Sequence, residues 1–156
     1  HRRVFSRAWT SGELILAVAL FIAVAANTKF FSSAVTALGA KPSMWAFHGS
    51  LFLSVVALFF LLLSAVCHRA LVKPVLITIL ILSSILSYFT HAYGTVFDPQ
   101  MIANAMQTDR AEAADLYNPA MLIWIGLLGV LHSIAVWKAR LVFPNWRVET
   151  IARLKL

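Results

Sequence analysis

Tyr88-Phe-Thr-His-Ala-Tyr-Gly-Thr-Val-Phe-Asp-Pro-Gln-Met-Ile-Ala-Asn-Ala-Met-Gln-Thr-Asp-Arg-Ala-Glu112 is a polar, helix-like segment set between two long apolar runs. Asp98-Pro99 has the form of a helix start, because the carboxylate can cap free N–H groups and proline loses nothing at the first position. No helix breaker occurs from Gln100 to Leu116, and Asn118-Pro119 then closes the segment and opens the next run. The pattern predicts a helix of about four turns at a membrane surface. Asn104, Thr108 and Glu112 recur at every fourth residue, which stacks three hydrogen-bonding side chains on one face, with Asp115 nearby. The opposite side mixes Ile102, Ala105, Met106 and Ala113. Such a polar stripe is either the solvated face of an interfacial helix or a seat for a lipid headgroup.

The runs on either side set the class. Apolar residues make up 61% of the 156-residue chain and charged residues 12%, with mean hydropathy +0.84, well away from soluble proteins. The excess lies in four spans, at about 10–30, 44–66, 74–93 and 119–137, whose apolar interiors lack Asp, Glu, Lys and Arg. A bilayer core of about 30 Å needs about 20 such residues. The first run, Leu14 to Asn27, is short, so it borrows Trp9 at one end and Phe30 and Phe31 at the other. Thr10-Ser-Gly-Glu13 fits a capping box and Asn118 an N-cap, while Pro74 suits a first helical turn. A signal peptide is the rival reading of the first run, given Arg2, Arg3 and Arg7. The run ends in Ala-Ala-Asn-Thr-Lys-Phe-Phe, with no small-x-small cleavage site, which favours a retained span. The expected fold is an all-α integral membrane bundle of four transmembrane helices plus an interfacial periplasmic helix.

Charge placement gives the orientation. Arg2, Arg3, Arg7, Arg69, Lys73, Lys138, Arg140, Arg147, Arg153 and Lys155 fall on one side, and only Lys29, Lys41 and Arg110 on the other. The basic-rich side should be cytoplasmic, with both termini inside and loops 28–43 and 94–118 periplasmic. Insertion and anionic lipid heads account for the net charge of +7, so nucleic acid is not needed as a partner. The single Cys67 excludes an intrachain disulfide and a cysteine-rich zinc site. The last residues, Arg147 to Leu156, read as a basic lead-in to something further, and the first, His1-Arg-Arg, lack an initiator Met. The expectation is a fragment of a longer protein.

Tyr88-Phe89, Gly94-Thr95-Val96, Asp98, Met101, Asn104, Thr108 and Glu112 together resemble the membrane-domain signature of the lipid A phosphoethanolamine transferases, the colistin-resistance type among them. Ala26-Asn27 with Phe30-Phe31, Lys73-Pro-Val-Leu76, and Trp124 with Gly129-Val130 extend the resemblance over essentially the whole chain. The resemblance implies a Gram-negative inner-membrane enzyme with five spans and a periplasmic, zinc-dependent domain of the alkaline-phosphatase type. A threonine of that domain takes phosphoethanolamine from phosphatidylethanolamine and passes it to lipid A, which weakens polymyxin binding. The residues matching Asn104, Thr108 and Glu112 would help bind the lipid substrate. A carboxylate suits the ethanolamine ammonium, and Asn and Thr suit phosphate or ester oxygens.

On this reading the nucleophile, the zinc ligands and the fifth span lie beyond Leu156. The 156 residues themselves are expected to hold no cofactor and no catalytic residue, and to be inactive alone. The implied partners are phosphatidylethanolamine, lipid A, the membrane and the chain's own periplasmic domain. Asn27, Tyr93 and Asp98 are further candidates for the lipid site; a helix cap is the competing role for Asn27.

Two other classes compete. His48 and His91 lie near the outer ends of their spans, and facing histidines in a four-helix membrane bundle can hold a b-type haem. A non-catalytic structural membrane protein is the third reading. His132 lies inside span four, where an ionisable residue is either functional or a neutral imidazole bonded to a neighbouring Ser or backbone. Trp45, Trp124 and Trp137 fit an aromatic belt. Ser50, Ser54, Ser83, Ser84 and Ser87 read as helix-packing residues, since no base sits beside any of them.

Overall fold

The structure is a computed structural model and describes residues 8–68, 71–94 and 118–142. The elements are β1 (Ala8–Trp9), α1 (Ser11–Phe21) with a π-helical continuation Ile22–Ala26, α2 (Thr28–Leu38) and a 3-10 turn Pro42–Met44. Then follow α3 (Trp45–Val66), α4 (Val72–Tyr93), α5 (Pro119–Ile125) with a π segment Gly126–Val130, α6 (Leu131–Lys138) and β2 (Arg140–Leu141). Among the described residues three stretches are long and apolar enough to cross a membrane: Pro42–Val66, Val72–Ala92 and Pro119–Lys138. Ser11–Ala26 and Thr28–Leu38 qualify only as a bent pair, at 60°.

α1 starts where its sequence directs. Thr10 Oγ1 accepts from the Glu13 N–H at 3.2 Å, and the Thr10 N–H donates to Glu13 Oε2 at 2.9 Å. This reciprocal box satisfies two of the free groups at a helix start. Leu14, Ile15, Val18, Ala19 and Ile22 form one buried stripe at helical spacing. Val72, Leu76 and Leu80 form the facing stripe on α4, and Leu63 of α3 with Cys67 just past its end, and Val136 of α6 with Ala139 just past its end, complete the core. α1 packs against α3 on one side and α4 on the other, while α4 also packs along α5 and α6.

The outward faces are apolar. Leu53, Leu61, Ile123 and Trp137 are each more than 60% exposed. Faces of this kind suit acyl chains and not water. Close contact between α4 and the Gly126–Val130 segment rests on small residues, since Gly129 meets Ser84 and Ile81.

At one end of the bundle the chain on either side of the spans is joined. β1 and β2 pair in parallel, Ala8 with Arg140 and Trp9 with Leu141, and the Val142 N–H donates to Trp9 O at 3.0 Å. Lys73 Nζ donates to Trp137 O at 2.8 Å at the same end.

The first span differs from its expected form. The straight stretch stops at Ala26, and Phe30 and Phe31 belong to a separate helix. Residues 28–43, expected as a loop, contain α2. The reason is amphipathic spacing: Phe30, Phe31, Ala34, Val35 and Leu38 fall on one side, with Lys29, Ser32, Ser33 and Thr36 on the other. Ser32 Oγ and Thr36 Oγ1 donate back to Lys29 O and Ser32 O, which tightens that polar face. α4 begins two residues earlier than the expected 74, with Pro74 still in its first turn, where its missing N–H costs nothing. The expected helix over 100–116 lies outside the described residues.

Candidate functional site

The two π segments end in the same way. Asn27 Nδ2 donates to Ile22 O at 3.0 Å, and His132 Nδ1 meets Leu127 O at 3.0 Å, each reaching five residues back. A carbonyl only accepts, so Nδ1 of His132 carries the proton in that bond. The His132 ring also stacks on Phe21, with centroids 3.8 Å apart. His132 is thus the backbone-bonded imidazole that a packing role requires. Asn27 is a cap on the end of span one and also the pivot of the 60° bend.

That bend creates a cleft. Its volume is about 280 Å³, and Asn27, Lys29, Ser87 and Thr90 line it together with the apolar Phe59 and Leu86. Ser87 is 2% exposed, and its Oγ has no hydrogen-bond partner among the described residues. Thr90 Oγ1 spends its proton on Leu86 O at 2.9 Å, so toward the cleft it can only accept. Lys29 is exposed at the rim and has no ion pair among the described residues. α2 starts here without a side-chain cap. Nearby, Thr28 Oγ1 and His91 Nε2 are 3.2 Å apart, and the His91 ring lies 5.1 Å from that of Trp124. These contacts tie the start of α2 and Trp124 of α5 to the end of α4.

A larger groove of about 350 Å³ runs between α1, α4 and α6, lined by Leu14, Val18, Phe21, Leu80 and Val136 beside His132. Its lining is apolar apart from that imidazole and the Trp9 indole.

Of the candidates from sequence, only Asn27 is fully described. Asn104, Thr108, Glu112 and Asp98 lie outside the described residues, as does the side chain of Tyr93, which ends α4. The ends of their segment are placed. Gly94 closes α4 in the left-handed region at φ 65°, and Asn118 Oδ1 accepts from the Ala120 N–H at 2.9 Å to open α5. Both lie at the cleft's end of the bundle.

Lys29, Ser87 and Thr90 were not sequence candidates for the site. The available signal was Lys29, a cation two residues beyond Asn27 on the side poor in basic residues. His48 Nε2 lies 3.1 Å from Gly39 O, and His91 Nε2 meets Thr28, so both nitrogens a haem iron would need face protein oxygens. Among the described residues no group of three or more His, Cys, Asp or Glu side chains is arranged to hold a metal.

Residues 55–156 match the model of the phosphoethanolamine transferase EptA/EptB family. Phosphatidylethanolamine transferase Mcr-2 of Escherichia coli is 41% identical over 136 residues, which is 87% of this chain and 25% of that protein. Mcr-1, also from Escherichia coli, is 37% identical over 147 residues, 92% of this chain and 26% of its own length. The chain therefore spans about a quarter of the curated relatives it matches. Among solved structures, the integral membrane lipooligosaccharide phosphoethanolamine transferase A (EptA) from Neisseria meningitidis superposes with a TM-score of 0.85 at 25% identity. It covers 96% of this chain and 28% of its own. An all-helical membrane bundle with this architecture, matched by a family model over most of its length, belongs to the phosphoethanolamine transferase EptA/EptB family.

Proposed function

We propose that this chain is the membrane anchor and lipid-substrate-binding part of a transferase that moves phosphoethanolamine from phosphatidylethanolamine to lipid A, giving polymyxin resistance. The observation that carries it is the family match over residues 55–156, a range that contains Asn104, Thr108 and Glu112. The relatives named Mcr support the resistance reading. The described residues on either side of the stripe-bearing segment are Gly94, which closes α4, and Asn118, which caps α5. Glu112 would pair with the ethanolamine ammonium, and Asn104 and Thr108 would bond the phosphate or ester oxygens.

The zinc chemistry and the nucleophilic threonine that the resemblance implies belong to a part of the longer protein outside these residues. The orientation we infer puts both ends of the chain in the cytoplasm of a Gram-negative cell and the cleft at the periplasmic face, from the distribution of basic residues.

Transfer is the test. A longer protein carrying this chain should release diacylglycerol from phosphatidylethanolamine and add phosphoethanolamine to lipid A, and the 156-residue chain by itself should do neither. Transfer by these 156 residues with zinc supplied, or none by the longer protein, would refute the assignment.

A further inference from the structure

We propose that α2 is a half-inserted membrane anchor, its apolar face seated among the acyl chains of the leaflet at that end of the bundle and held by apolar burial, not by lipid charge. The proposal rests on the membrane reading of the fold and does not depend on the transferase reading.

The sequence of α2 divides into two halves. At about 3.6 residues per turn, the apolar side chains run round one half of the helix from Phe30 to Val35, and Ser, Thr and one Lys take the other. No residue of α2 is buried within the protein. A helix this short is marginal in water by itself, because most helical stability comes from packing the apolar face. Phe30, Val35 and Leu38 stay exposed on that face. A surface outside the bundle is therefore needed to meet them.

The depth of α2 selects that surface. The Phe31 ring lies 5.6 Å from the ring of Phe52 in α3. Phe52 comes seven residues after Trp45, about 10 Å along the axis of a span that starts at Pro42. At the other end of α2, Gly39 O lies 3.1 Å from His48 Nε2, and Trp45 Nε1 donates to Ala40 O at 3.5 Å. α2 thus climbs obliquely along the end of a membrane span, in keeping with the 60° bend before it. Its first turn lies beside the span and not above it. Trp45 and Leu53, on the same part of α3, are also exposed, so the open face of α2 continues a surface that already faces acyl chains.

The polar half offers little to lipid charge. α2 holds one lysine and no acidic residue, and Lys29 stands at the rim of the cleft. Ser32 Oγ and Thr36 Oγ1 donate to carbonyls of the helix itself. Attachment therefore scales with apolar area. Anchored in this way, α2 braces the bend at Asn27 from the lipid side.

Depth measured by electron paramagnetic resonance power saturation tests this. A nitroxide is attached to one cysteine at a time, Val35→Cys, Leu38→Cys, Ser33→Cys or Thr36→Cys, in a Cys67→Ala background, with the 156-residue chain in phosphatidylcholine vesicles. Labels at 35 and 38 should lie about 5–10 Å below the lipid phosphates and be open to oxygen. Labels at 33 and 36 should lie at or above the phosphates and be open to a water-soluble nickel chelate. Two positions on each face keep the pattern readable if one variant fails to fold. Adding phosphatidylglycerol should shift none of these depths. Equal nickel access on both faces would overturn insertion. Exclusion of both reagents at 35 and 38 would mean that protein covers the face, a second copy included, and would overturn the lipid assignment. Insertion only when phosphatidylglycerol is present would overturn the claim that apolar burial suffices.

Discussion

Gly129 faces Ser84 so closely that a Cβ at position 129 would lie 2.5 Å from Ser84 Oγ and 3.3 Å from its Cβ. The Ser84 hydroxyl cannot swing away freely, because it donates to Ile81 O at 2.7 Å. Spans three and four are thus held at a distance that only glycine permits here. Gly129→Ala should destabilise the bundle by about 1–3 kcal/mol, the usual range for overpacking a tight contact. Thermal unfolding in detergent followed by circular dichroism measures it. Adding Ser84→Gly removes both clashing atoms and should recover part of the loss. No recovery in the double variant would place the strain elsewhere.

Asn27 holds the bend between α1 and α2 through one donor on Ile22 O. Asn27→Ala should cost about 1 kcal/mol, the net value of an ordinary hydrogen bond. Asn27→Asp should cost more, since an ionised carboxylate only accepts and would face a carbonyl oxygen. Melting temperatures should fall in the order Asn, Ala, Asp. An aspartate variant as stable as the parent would show that this bond does not hold the bend.

The proposed topology rests on the ten-to-three split of basic residues read from the sequence on the two sides of the spans. Cys67 is buried at 2% exposure, and Cys67→Ala gives a background for single-cysteine labelling. Gly39→Cys should react with an impermeant maleimide added to the periplasmic side. His68→Cys should react only after the inner membrane is opened. The reverse pattern would invert the proposed orientation.

The class of the fold was legible because bilayer length and absent charge are coarse signals, and α3, α4 and α5–α6 fall within two residues of the spans read from sequence. The caps at Thr10 and Asn118 were legible because each needs only neighbouring residues. The end of span one was not. Phe30 and Phe31 are apolar enough to continue a helix in hydropathy, and the break depends on a side chain reaching five residues back. The cleft was less legible still. Ser87 reads as one of several packing serines, and only the folded arrangement brings its hydroxyl to the same space as Lys29, 58 positions earlier in the numbering. The stripe at Asn104, Thr108 and Glu112 is the reverse case: its spacing is plain in sequence, and its residues lie outside those the structure describes.

The central claim is that this stripe binds the phosphoethanolamine lipid, and substitution in the full-length enzyme tests it most directly. Phosphoethanolamine transfer and polymyxin resistance should be measured for Asn104→Ala, Thr108→Ala, Glu112→Ala and Glu112→Gln, with Gln107→Ala as the control. Glu112→Ala should lose activity strongly, by about 1–3 kcal/mol of substrate stabilisation, as expected for one charge-assisted bond. Glu112→Gln should lose nearly as much, because the shape is kept and the charge is gone. Asn104→Ala and Thr108→Ala should lose substantially, and Gln107→Ala little. Normal insertion with parent-level transfer and resistance in all three alanine variants would make the stripe a solvated helix face and contradict the claim.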